Sequence, residues 1–106
     1  MFTIKIDSLG NKIWQKPYDY SAGNSSNIKI VNYDNGYVIC GEENLIRIDN
    51  SGNWVWRQSI TLPFELMTRI AASSDGSVYN VGYALSGVAD NSVVVATLGK
   101  YDQNGT

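Results

Sequence analysis

The stretch Ile46-Arg47-Ile48-Asp49-Asn50-Ser51-Gly52-Asn53-Trp54-Val55-Trp56-Arg57-Gln58 decides the fold, because it repeats an earlier one. Ile4-Lys5-Ile6-Asp7-Ser8-Leu9-Gly10-Asn11-Lys12-Ile13-Trp14-Gln15-Lys16 matches it at a separation of 42 residues. A third copy opens at Lys100-Tyr101-Asp102-Gln103-Asn104-Gly105. A second motif recurs at 41 residues, Asp34-Asn35-Gly36-Tyr37-Val38-Ile39-Cys40-Gly41 aligning with Asp75-Gly76-Ser77-Val78-Tyr79-Asn80-Val81-Gly82. Two motifs returning at nearly one period are the mark of a repeat architecture.

Within each copy, alternating β-branched and aromatic runs are bounded by Gly, Asn, Asp and Ser, which predicts short strands joined by tight turns. The turn chemistry is local. An Asp opening Asp-x-x-Gly accepts hydrogen bonds from the backbone that follows, and Gly takes the left-handed position closing the loop. Asp7, Asp49 and Asp102 with Gly10, Gly52 and Gly105 are therefore read as structural turn residues. A calcium loop would need more hard ligands than one carboxylate per copy.

Outward from the repeat, strands are expected at Thr3–Asp7, Lys12–Lys16, Asn27–Asn32, Tyr37–Gly41, Leu45–Asp49, Asn53–Ser59, Met67–Ser73, Ser77–Gly82 and Val93–Tyr101. They form one repeat-built β domain over 1–106, with units at about 1–16 (partial), 17–59 and 60–106. Four antiparallel strands per ~40–45 residues is the period of a β-propeller blade. The phrases Ile48-Asp49-Asn50-Ser51-Gly52-Asn53-Trp54-Val55-Trp56 and Asp34-Asn35-Gly36-Tyr37-Val38-Ile39-Cys40-Gly41 resemble bacterial propeller repeats. They are similar to quinoprotein-like blades with a tryptophan docking motif and to the D-G-G-Y repeats of large secreted proteins. The resemblance implies the fold. It carries over no quinone- or metal-binding residue.

Composition excludes several classes. The chain has 106 residues, 8 Lys+Arg against 10 Asp+Glu, no His and one Cys. The absent basic excess argues against nucleic acid as a partner. Ser-His-Asp triads, Cys-His pairs, His-containing zinc sites and disulfides are excluded within the chain. No apolar run reaches the ~20 residues of a membrane-spanning helix, no signal peptide is visible at the start, and no cofactor is expected.

Stacked blades bury both faces of a middle blade, so near-continuous apolar runs such as Tyr37–Cys40 and Val93–Ala96 read as core. Trp14 and Trp56 recur at equivalent positions and read as side chains wedged against the next blade. Cys40 aligns with Val81 and reads as a small buried hydrophobe. Trp54 has Lys12 as its repeat partner, so the fold does not demand an aromatic there; a subunit contact is the preferred reading.

In a propeller the short repeated turns share one edge, and the irregular segments Pro17–Ser26, Glu42–Asn44, Ile60–Leu66 and Tyr83–Asn91 share the other. Loops converging on one rim of a scaffold form binding sites. The rim candidates are Tyr18, Tyr20, Glu42, Glu43, Phe64, Glu65, Tyr83, Asp90 and Asn91, with a glycan or a protein as ligand. The expected function is a non-enzymatic propeller-type binding or scaffolding module. One alternative is a hydrolase using Glu42, Glu43, Glu65 and Asp90, which would need two carboxylates about 5–10 Å apart. The other is a repeat whose only function is assembly. Two repeats cannot close a ring of about four to eight blades. A homo-oligomer of about three or four chains, or further blades of a longer chain, is expected to cover the remaining faces.

Overall fold

The computed structural model describes residues 2–18, 28–41, 44–59, 65–86 and 93–106, with backbone alone at 65–68, 84–86 and 93. Among them are nine strands and no helix: β1 (Phe2–Ile6), β2 (Lys12–Pro17), β3 (Lys29–Tyr33), β4 (Gly36–Cys40), β5 (Asn44–Asp49), β6 (Trp54–Ser59), β7 (Glu65–Ala72), β8 (Val78–Ser86) and β9 (Val93–Tyr101). All pairing is antiparallel between strands consecutive in the chain. It gives a two-stranded N-terminal hairpin, a four-stranded middle sheet β3-β4-β5-β6 and a three-stranded C-terminal sheet β7-β8-β9. The fold is all-β and built of antiparallel sheets.

The repeat survives in fine detail. Lys5 pairs with Trp14 and Arg47 with Trp56 across their hairpins. The register slips by one residue just beyond, between Lys5 and Ile6 and again between Arg47 and Ile48. Such a bulge sharpens the local twist and re-aims the side chains beside it.

Alternation along the middle sheet fills two cores, one on each face. One contains Ile39, Ile46, Ile48 and Tyr18, with Trp14 of the N-terminal hairpin packed against them. The other contains Tyr33, Val38, Cys40, Leu45 and Val78, with Trp56 and Ile70 against them. Tyr37–Cys40 is an apolar run because its alternate residues serve different cores. Burial pushes the Cys40 thiol up to about 11, with Lys29 pulling weakly the other way.

The structure differs from the sequence reading in three places. Val94 and Val95 are exposed, as is Ala96, so these three residues of the Val93–Ala96 run are not core; among the described residues, no sheet buries them. Glu65 and Tyr83, read as loop residues, lie in strands. Glu65 pairs with Ala84, and Tyr83 sits in the central strand opposite Leu66 and Ala96. The apolar segment after Gly82 continues the ladder to Ser86, opposite Val93. Finally, the two Asp/Gly turns of the second motif are different structures. Asp34 and Asn35 make a two-residue loop with Asp34 at φ +49°, whereas Ser73–Ser77 makes a longer turn with Gly76 at φ +79°.

Candidate functional site

The most elaborate site among the described residues is the joint between sheets, and it starts in the Asp-x-x-Gly turn. In the first turn the Asp7 amide donates to the Asn11 carbonyl (2.9 Å) and the Gly10 amide to the Asp7 carbonyl (3.1 Å). The Asp7 carboxylate accepts from the Leu9 and Asn11 amides at 2.9 and 2.8 Å and from the Asn11 side-chain amide at 3.0 Å. Asp49 repeats this with Ser51 and Asn53 at 2.9, 2.8 and 2.9 Å. Asp102 repeats the backbone part with Asn104 and Thr106 at 2.8 and 3.0 Å. These donors hold all three carboxyls below the ordinary carboxylate range. The Asn11 side chain leads at Asp7, the Asn53 backbone at Asp49 and the Thr106 backbone at Asp102. A charged carboxylate is favoured wherever hydrogen bonds are aimed at it.

Gly10, Gly52 and Gly105 close these turns at φ +86°, +79° and +80°. Ser73–Ser77 has the same backbone closure, with Ser73 in the place of Asp, bonds of 2.9 and 3.2 Å, and Asp75 instead accepting from the Ser77 amide.

Two of the turns receive a tryptophan from the preceding sheet. The Trp14 indole donates through Nε1 to the Asn50 carbonyl at 3.0 Å, and the Trp56 indole to the Gln103 carbonyl at 2.9 Å. Each acceptor is the residue after the turn's Asp. Each ring lies over the turn's glycine, so that a Cβ at Gly52 would meet Trp14 at 3.1 Å and one at Gly105 would meet Trp56 at 2.8 Å. Glycine is thus required twice over, for its backbone angle and for the ring against it.

A cation completes the joint. Lys5, directly across from Trp14, donates to the same Asn50 carbonyl at 3.4 Å and also bonds the Asn50 side-chain oxygen. Arg47, across from Trp56, donates to the Gln103 carbonyl at 2.9 Å and pairs with Asp34 at 3.1 Å. One carbonyl on each turn therefore reads two neighbouring strands of the sheet before it. Lys100 holds the same position in the third copy and lies 3.9 Å from Asp75. The cation had a sequence signal: a basic residue stands two before Asp7, Asp49 and Asp102 alike. Hydroxyls add to the joints. Tyr18 donates to the Gly52 carbonyl at 2.8 Å, and Tyr33 donates to the Gly76 carbonyl.

Of the rim candidates, Tyr20, Glu42, Glu43, Phe64, Asp90 and Asn91 lie outside the described residues. Tyr18 is 3% exposed. Burial, and secondarily the Asp49 charge, push its hydroxyl up. It belongs to the inter-sheet core and offers no ring face to a sugar. Trp54 is 42% exposed, with its ring at 76° to that of Tyr18 and the centroids 5.5 Å apart.

Two clefts follow the seams. One of about 190 Å³ runs along β1, bordered by the consecutive residues Thr3 to Ile6, from both faces of the strand, together with Trp14, Ile30, Tyr37 and Ile48. The other, about 400 Å³, lies at the turn edge between the middle and C-terminal sheets, where Asp34, Asp75 and Arg47 face Tyr33 and Gln103. No group of three metal-ligating side chains occurs among the described residues. No family model, curated protein or solved structure matches the chain.

Proposed function

We propose that this chain is a propeller-type binding or scaffolding module, assembled from stacked sheets and presenting its irregular loops to a glycan or protein. One observation above all supports the reading: the joint of Trp14, Lys5 and the Asn50 carbonyl is repeated position for position by Trp56, Arg47 and the Gln103 carbonyl. A joint repeated in one direction hands each sheet to the next, as in architectures whose stability is a sum of neighbour contacts. Energy invested in such joints fixes a surface and needs no reactive group. On this reading the outer sheet faces, with exposed Ile4, Ile6, Val81 and Leu98, are covered by more sheets of the same kind.

Sedimentation equilibrium tests the assembly half: the mass should rise with concentration. A glycan array and pull-down test the binding half. A monomer of constant mass that gives no hits in either screen, while scoring in a hydrolase screen, overturns the reading.

A further inference from the structure

Three Asp-x-x-Gly turns share one construction, yet only two hold an indole. A Cβ at Gly10 would meet no described atom within 4 Å, whereas the equivalent positions at Gly52 and Gly105 are closed by Trp14 and Trp56. The face beside the Gly10 turn is open in the same way. Phe2, Ile4, Ile6 and Ile13 are all exposed. Ile46 and Ile48, the repeat counterparts of Ile4 and Ile6, are buried beneath the N-terminal hairpin. The N-terminal hairpin thus carries both halves of a joint: a donor face of Lys5 and Trp14, engaged with the middle sheet, and an acceptor face whose two strands match β5 and β6 of the one it covers, without counterparts of β3 and β4.

We infer that the Asp7–Asn11 turn and the face of Phe2, Ile4, Ile6 and Ile13 are a docking site for one further sheet of the same repeat. Its partner presents a cation on its third strand and a tryptophan directly opposite on its fourth. The Ser8 carbonyl, one residue after Asp7, is the counterpart of the Asn50 and Gln103 carbonyls and accepts both donors. The indole covers Gly10 and the partner's apolar face covers the isoleucines. The inference rests on the stacked-sheet reading above and adds to it the place and chemistry of the contact. Apolar cover supplies affinity, while the paired donors fix register.

The test builds a donor. The sequence of Asn53–Ser59 is grafted in place of Thr106, so that a fourth strand with a tryptophan follows Gly105 beside Lys100. The donor also carries Gly10→Asn, because Asn tolerates a left-handed backbone while its Cβ occupies the indole's place. Mixed with the unmodified chain in sedimentation velocity, this donor should form a 1:1 complex. The affinity should fall more than tenfold when the acceptor also carries Gly10→Asn, or when the graft's second tryptophan is replaced by alanine.

A second probe does not depend on the graft folding. Millimolar N-acetyl-tryptophanamide added to the unmodified chain should shift the Leu9 and Gly10 amide resonances and leave those of Gly52 and Gly105 in place. Equal binding by the Gly10→Asn acceptor, or no selective shift at Gly10, overturns the inference. If the Trp14 and Trp56 indole protons are protected from exchange and alike, such a failure belongs to the docking site alone. If they are unlike, the stacked-sheet reading falls with it.

Discussion

Ile46 and Ile48 are 1% and 0% exposed, while Ile4 and Ile6, the same residues at the same places in the repeat, are 50% and 59% exposed. Strand, register and the neighbouring bulge are shared, so nothing within the hairpin separates the two pairs. What differs is the surroundings: β5 has β4 along its other edge, with Ile39 opposite Ile46, and Tyr18 and Trp14 pack in the same core, whereas β1 pairs with β2 alone. Burial in this protein is conferred by the neighbour, and an apolar residue in the repeat marks a face that can be covered.

The difference is sharpest in core truncations. Ile46→Ala should cost about 2–5 kcal/mol, the usual range for a buried aliphatic. In the dilute monomer, where its face is uncovered, Ile4→Ala should stay within about 0.5 kcal/mol, as at exposed sites. Urea unfolding of the two variants gives the comparison directly, and equal costs would break it.

The turns carry the contrast at the next scale. Gly10→Ala and Gly105→Ala both force a side chain into the left-handed region, roughly 1–2 kcal/mol. Only Gly105→Ala also drives a Cβ to 2.8 Å from Trp56, so it should lose a further 1–3 kcal/mol or so to overpacking. The gap between their unfolding midpoints measures the joint itself.

Smaller again is Trp56→Phe, which keeps most of the ring and removes the bond to the Gln103 carbonyl. About 0.5–1.5 kcal/mol is expected, because Arg47 still donates to that oxygen.

The smallest effect is that of acid. The folded-state values of Asp7, Asp49, Asp75 and Asp102 are all lowered. Their contribution is therefore complete above the ordinary carboxylate range and is lost as pH falls through the depressed values. Unfolding midpoints should be flat from neutral pH down to about 5 and drop below about 4. Replacing Asp49 by Asn should flatten the drop in part.

Much of this was legible in the sequence. Nine strands were expected and nine are found among the described residues, because alternation and the Asp-x-x-Gly turns speak through local chemistry. The pairing of Trp14 and Trp56 with Gly52 and Gly105 was half legible. The recurrence of each residue was plain, but the contact joins positions 38 and 49 residues apart, which no local pattern encodes. The partners of Tyr18 were illegible for the same reason: Ile39 and Gly52, with which it packs and bonds, belong to the middle sheet and its turn, 21 and 34 residues further on. Ser73 escaped notice because it replaces the side chain of Asp while keeping the turn's backbone bonds. Glu65 and Tyr83 were misplaced because a strand that outgrows its repeat partner leaves no punctuation in the chain.

Cys40, finally, is the chain's single thiol and lies fully enclosed in the middle sheet. Burial and a pKa near 11 leave it inert toward alkylating reagents while the fold is closed, since only an accessible thiolate reacts. Its labelling would therefore act as a clock for transient opening: each modified molecule records one separation of the sheets, with no competing cysteine to confuse the count.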